Sequence, residues 1–228
     1  MNFSFLPQFW SYFNYGVLVT IMISVCVVFF GTILGVLVSL AKRSGIKPLE
    51  WLVSLYVWVF RGTPMVVQIM IAFNLIHMNL PTVQFGILNL DLSRIVPGII
   101  VLSLNSGAYI SEIMRGGIMS VDPGQMEGGR AMGLSFATTM RKIVIPQAVK
   151  NILPTLGNEF ISLIKETSVV SFVGATDLYV AFNYIGSNSY EFMIPYLVMA
   201  LIYIVMVLLI SLGIKLMERS LRKSDRRH

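Results

Sequence analysis

The sequence predicts an all-α membrane protein with five transmembrane helices, N-terminus outside and C-terminus cytoplasmic. Three observations predict it. Of 228 residues, 56% are hydrophobic and only 12% charged, against roughly 25% charged in soluble domains. Mean hydropathy is +0.77. The apolar residues fall in five long runs, with Lys and Arg collected between alternate runs. Such hydrophobicity excludes disorder. A single cysteine, Cys26, excludes a disulfide framework and a thiolate metal site. No hydrophilic stretch is long enough for a separate soluble domain, so residues 1–228 read as one transmembrane domain.

The spans are expected at about 17–41, 49–77, 95–114, 151–174 and 194–216. The first is no signal peptide, because nothing charged precedes it and its basic residues, Lys42, Arg43 and Lys47, follow it. The second is long for one span and is interrupted by Arg61-Gly62-Thr63-Pro64. In the first, Gly31, Gly35 and Ser39 have the spacing of small residues at a helix contact. Residues 80–92 and 176–190 are rich in polar and small residues and read as extracytoplasmic connections with room for short helices. Segments 42–50, 115–150 and the tail from Lys215 hold fourteen of the seventeen basic residues. With these segments inside, the positive-inside rule holds throughout. The net charge of +6 is thus a topology signal and an anionic-lipid contact, and no nucleic-acid partner is expected.

The cytoplasmic segment 115–150 is too polar to span and too patterned for a plain linker. Asp122-Pro123-Gly124-Gln125 is a helix start. Asp caps the free N–H groups, Pro suits the first position, and Gln can reach back as in a capping box. That helix runs to about Met132 and stops at Gly133, which takes a left-handed conformation without steric cost. Ser135 caps a second helix, expected to end at about Ile145 before Pro146. The first helix has little apolar surface for lipid, only Met126, Ala131 and Met132, and suits a protein contact.

Glu127-Gly128-Gly129-Arg130-Ala131-Met132-Gly133, nine residues, then Ile143-Val144-Ile145-Pro146 resembles the EAA loop of ABC importer permeases. Gly128 and Gly129 replace its two alanines, and Ile145 replaces a leucine. Arg61-Gly62-Thr63-Pro64, Ser106-Gly107-Ala108-Tyr109, Glu112, Arg115-Gly116-Gly117-Ile118, Asn158-Glu159 and Lys165-Glu166-Thr167-Ser168 are similar to the polar amino acid uptake permeases. The similarity covers about Tyr15 to Leu216. It implies a type I ABC importer-like permease working with two ATPase subunits, a second permease, identical or paralogous, and an extracytoplasmic amino-acid-binding protein. It also implies that Asp122, Glu127, Arg130, Ala131, Gly133 and Leu134 form the ATPase coupling surface. The chain has no Gly-x4-Gly-Lys-Ser/Thr phosphate loop. No cofactor or metal is expected on it, and ATP and Mg2+ belong to the partner ATPase. The chain itself is not expected to be an enzyme.

Charged residues within spans are costly and usually face a bundle interior or an aqueous path. In the fourth span Asn158, Ser162 and Lys165 are spaced i, i+4, i+7, with Glu159 and Glu166 beside them. In the third, Asn105, Tyr109 and Glu112 repeat that spacing. Two such stripes facing each other would make a path for a zwitterion. Asn158 and Glu159 are candidates for the ammonium group, and Ser162 is a further substrate-binding candidate on the same face. Gly62, Thr63 and Ser106 are candidates for the carboxylate, at a break that Pro64 imposes and a binding site would tolerate. Arg61, Pro64, Asn105, Tyr109, Glu112, Lys165 and Glu166 line or gate the path. Plain structural roles stand beside these. Glu112 can pair with Arg115, Lys165 can pair with a carboxylate or fix a subunit contact, and Arg61 can structure the break. Two other functions stay open, an ion-gradient-driven secondary transporter using the intramembrane carboxylates and an ABC permease for another solute.

Overall fold

The computed structural model describes residues 6–85 and 88–225; Arg226, Arg227 and His228 of the basic tail lie outside the described residues. After a short 3-10 turn, α1 runs Trp10–Ala41 and starts seven residues before the expected span, because the polar-aromatic stretch Trp10–Gly16 continues the helix. The second run is two helices, α2 (Lys47–Gly62) and α3 (Met65–Leu75), bent by 112° at the Gly-Thr-Pro interruption. Thr63 is extended, as a residue before proline tends to be.

Among the described residues, the connection at 80–91 has no helix. Strands β1 (Thr82–Phe85) and β2 (Leu88–Asp91) pair antiparallel, with Thr82 opposite Asp91. Apolar and polar residues alternate in Leu-Asn-Leu-Asp, a period-two pattern that favours a strand. Asp91 then caps α4 (Leu92–Met119), its Oδ1 accepting from Ser93 N at 3.1 Å. α4 extends past the expected end at 114. α5 (Pro123–Ala131) and α6 (Phe136–Thr139) follow.

The second helix of this loop does not end before Pro146. It continues through a π turn, Met140–Val144, into α7 (Ile145–Glu166) and a 3-10 segment, Thr167–Val173. Proline lacks an N–H and crowds the carbonyl four residues back. The wider turn, in which Ile145 N–H reaches Met140 O, takes up both defects. α8 (Leu178–Ser189) fulfils the short helix expected in 176–190, and α9 (Met193–Asp225) is the last described element. Among the described residues, α1, α4 and α9 are long and apolar enough to cross a membrane, and counting each bent pair as one span gives up to five.

Helix α4 is central and α9 peripheral: 67% of the most apolar stretch of α4 is buried against 6% for α9. Lipid offers little hydrophobic drive for helices to associate, so close packing must hold them. Gly31 meets Ser106, and Gly35 meets Ile110, where an added Cβ would lie only 2.6 Å from the isoleucine methyl. The predicted small-residue contact is therefore the α1–α4 seam. Val19, Ile23, Val27, Ile69, Leu102, Leu163 and Val170 form the core beside it. Phe13, Ile164, Leu178, Phe182 and Met206 tie α8 and α9 to α1 and α7. Val121, Val144, Ala148 and Ile152 form a third cluster at the α5–α6 end.

Candidate functional site

The α2–α3 break is held by side chains. Pro64 leaves the Phe60 carbonyl without its helical N–H partner. Gln68 Nε2 donates to that carbonyl at 2.8 Å, and Asn105 Nδ2 at 3.1 Å. Thr63 Oγ1 donates to Val59 O at 2.8 Å and lies 2.8 Å from Gln68 Nε2. Asn105 is buried and joins α4 to the break. The Tyr56 hydroxyl donates to the Leu104 carbonyl, a second tie between α2 and α4.

Beside the break, Lys42, Ser54, Val57, Trp58, Arg61, Gly62, Tyr109 and Glu112 line an open cavity of about 410 Å3. The Arg61 guanidinium lies 5.2 Å from the centre of the Tyr109 ring. Glu112 pairs with Lys42 at 2.9 Å and with Arg115 at 2.8 Å. The cavity thus unites four of the sequence candidates, Arg61, Gly62, Tyr109 and Glu112. Its wall holds cations, a carboxylate and aromatic rings, and its volume is in the range of small-molecule sites.

The two stripes do not face each other. Tyr109 and Glu112 turn toward α1 and α2, and Asn105 toward the α2–α3 break. The face of α4 that meets α7 lies one residue further round, where buried Ser106 donates to Glu159 Oε1 at 3.3 Å. One residue is 100° of helix rotation, which spacing within one helix cannot fix against a neighbour. Asn158 and Lys165 are exposed, while Glu159, Ser162 and Glu166 are half-buried. Among the described residues Lys165 forms no ion pair within 4.0 Å.

The polar loop builds a separate surface. Asp122 Oδ1 accepts from Gly124 N at 2.7 Å, as expected of the cap. Gln125 completes no capping box; its amide oxygen accepts from Gln147 Nε2 at 3.0 Å and braces α5 on α7. Gly133 has φ +84°. Its N–H donates to Arg130 O and that of Leu134 to Gly129 O, the paired bonds of a glycine stop. Arg130 Nη1 adds a bond to Leu134 O at 3.1 Å. Asp122, Glu127, Arg130, Ala131 and Gly133 are exposed and Leu134 half-buried. Gly129 is buried, and a Cβ there would run into Thr139.

Sequence reasoning missed Lys42, Gln68, Thr139 and Gln147. Gln68 carried a usable signal. It is a polar residue in an otherwise apolar stretch, four residues past a proline that leaves a carbonyl unpaired.

Residues 27–223 match the family described as binding-protein-dependent transport system inner membrane component. The chain belongs to that family. Over its length this permease is 36% identical to the arginine transport system permease protein ArtQ of Bacillus subtilis (strain 168), covering 99% of this chain and 100% of that one. It is 37% identical to the L-cystine transport system permease protein TcyB of the same organism, covering 94% of this chain and 88% of that protein. Among solved structures, an amino acid ABC transporter crystallised with histidines superposes with a TM-score of 0.87 at 38% identity, over 96% of this chain and 99% of that one. The MetNI methionine ABC transporter, inward facing, superposes at 0.72 with 19% identity over 97% and 99%, a likeness of fold alone. The permease has the all-α, multi-spanning fold of ABC importers.

Proposed function

We propose that this permease is the membrane-spanning subunit of an ATP-driven importer that carries a polar amino acid into the cytoplasm. One observation carries the reading: end-to-end similarity to permeases of amino acid systems, with the fold of a solved amino acid transporter. An extracytoplasmic binding protein delivers the solute. Two ATPase subunits hold ATP and Mg2+, and a second permease, identical or paralogous, completes the path. The N-terminus lies outside and the C-terminus inside, in line with the basic residues of 42–50, 115–150 and the tail.

The solute passes between the α2–α3 break and the polar faces of α4 and α7. Gly62, Thr63, Ser106, Asn158, Glu159 and Ser162 bind it. Arg61, Pro64, Asn105, Tyr109, Glu112, Lys165 and Glu166 shape and gate the way. Asn158 and Lys165 are exposed on a helix read as a span. Acyl chains are a costly neighbour for such groups, which supports a second permease or a shared aqueous path on that face.

α5 is the coupling helix. It is short, capped and exposed, and it rests on α6 and α7 through Gly129 and Gln125. Glu127 and Gly133 are its defining positions, and Asp122, Arg130, Ala131 and Leu134 complete the contact with the ATPase. Reconstitution with the ATPase and binding protein tests the reading. Glu127→Ala and Gly133→Val should each leave insertion and ATP hydrolysis intact while uptake falls by about tenfold or more, a loss of roughly 1.4 kcal/mol of coupling. Normal coupling in both variants would remove the assignment of α5.

A further inference from the structure

Gln68 sits where three helices meet. Its Nε2 lies 2.8 Å from the Phe60 carbonyl of α2, 3.0 Å from the Thr63 carbonyl and 2.8 Å from Thr63 Oγ1. Its Oε1 accepts from Asn105 Nδ2 of α4 at 2.8 Å. A side-chain amide offers two donor hydrogens and one acceptor oxygen, so every polar position of Gln68 is used. The need arises from Pro64, which removes the donor that would have met Phe60. Asn105 shares the same carbonyl at 3.1 Å, so the two amides act as one unit. Gln68 is half-buried and not among the residues lining the cavity. Its partners flank Arg61 and Gly62, which do line it.

We propose that Gln68 is a positioning residue for transport: through Phe60, Thr63 and Asn105 it fixes the pose of Arg61–Thr63 and makes the break move with α4. The proposal rests on the reading of this chain as an importer permease. Without the clamp the 61–63 segment samples several poses, and only a fraction of them accepts the solute. Each ATP-driven cycle then continues with fewer solute molecules carried. A residue needed only for folding would lower uptake and hydrolysis together, in proportion to the complex assembled.

The test compares amino acid imported per ATP hydrolysed, in proteoliposomes holding the complete complex with its binding protein. For Gln68→Leu this ratio should fall about tenfold, the effect of losing bonds worth about 1.4 kcal/mol. Asn105→Val should lower it by a smaller factor. The double variant should be no worse than Gln68→Leu within twofold, because both side chains serve one carbonyl. A wild-type ratio in Gln68→Leu, or parallel loss of uptake and hydrolysis, would overturn the proposal. Should Gln68→Leu fail to assemble, Asn105→Val carries the test, and an unchanged ratio there overturns it. A wild-type complex without ATP-driven uptake would instead remove the importer reading itself.

Discussion

At Pro64 the chain turns through 112°, whereas at Pro146 it stays helical. Both prolines lack the N–H that a helix requires and crowd a carbonyl one turn back. At Pro64 the preceding Thr63 is extended, and the stranded Phe60 carbonyl is taken by amides from α3 and α4. At Pro146 the backbone loosens into a π turn, and Gln147 Nε2 donates to Ile143 O at 3.1 Å. The same covalent defect thus has two outcomes. A break forms where side chains from other helices can take over the lost bonds. A widened turn forms at Pro146, where the backbone and a side chain of the same helix absorb the defect. The first sits beside the cavity, and the second carries α6 directly into α7 behind α5, the proposed coupling helix.

Substitution at the two prolines tests this contrast with the largest effect. Pro64→Ala returns an N–H to the Phe60 carbonyl and lets α2 and α3 merge. Uptake by the assembled complex should fall about a hundredfold, as displacement of a positioned site commonly does. Pro146→Ala leaves a helix a helix, and uptake should stay within about threefold, a change of under 1 kcal/mol. Equal losses in the two variants would erase the distinction.

A smaller effect is expected where α5 meets α6. Gly129→Ala places a methyl against Thr139 and should lower the thermal stability of the purified complex by about 1–3 kcal/mol. Adding Thr139→Ala should recover most of it. That pair also accounts for the glycine where the EAA pattern has alanine, because Thr139 fills the room the methyl would take. The smallest effect belongs to Gly128, which has open space around its Cβ position. Gly128→Ala should stabilise α5 by up to about 1 kcal/mol, read as slower proteolysis of the 115–150 loop.

Local signals were legible in the sequence. The break at 61–64, the Asp122 cap, the left-handed Gly133 stop and the small residues of the α1 seam each follow from chemistry within a few residues. The rotation of one helix against another was not. Asn105, Tyr109 and Glu112 share a face of α4, yet that face meets α1, α2 and α3, and Ser106 alone turns to Glu159. Helix period fixes which residues share a face and leaves open which neighbour the face meets. The hairpin at 82–91 was hidden for another reason. Its strands are four residues each, too short for alternation to stand out. The π turn escaped because proline ordinarily reads as a helix boundary.

Uptake into proteoliposomes decides whether import is driven by ATP. The vesicles would hold the permease, its ATPase and its binding protein, and would be offered a panel of radiolabelled amino acids with and without internal ATP. Accumulation of one or a few polar amino acids that requires ATP and persists when ion gradients are collapsed is the predicted result. Accumulation that ignores ATP and disappears with an ion gradient would contradict it, and would turn Glu112, Glu159 and Glu166 into ion-coupling sites.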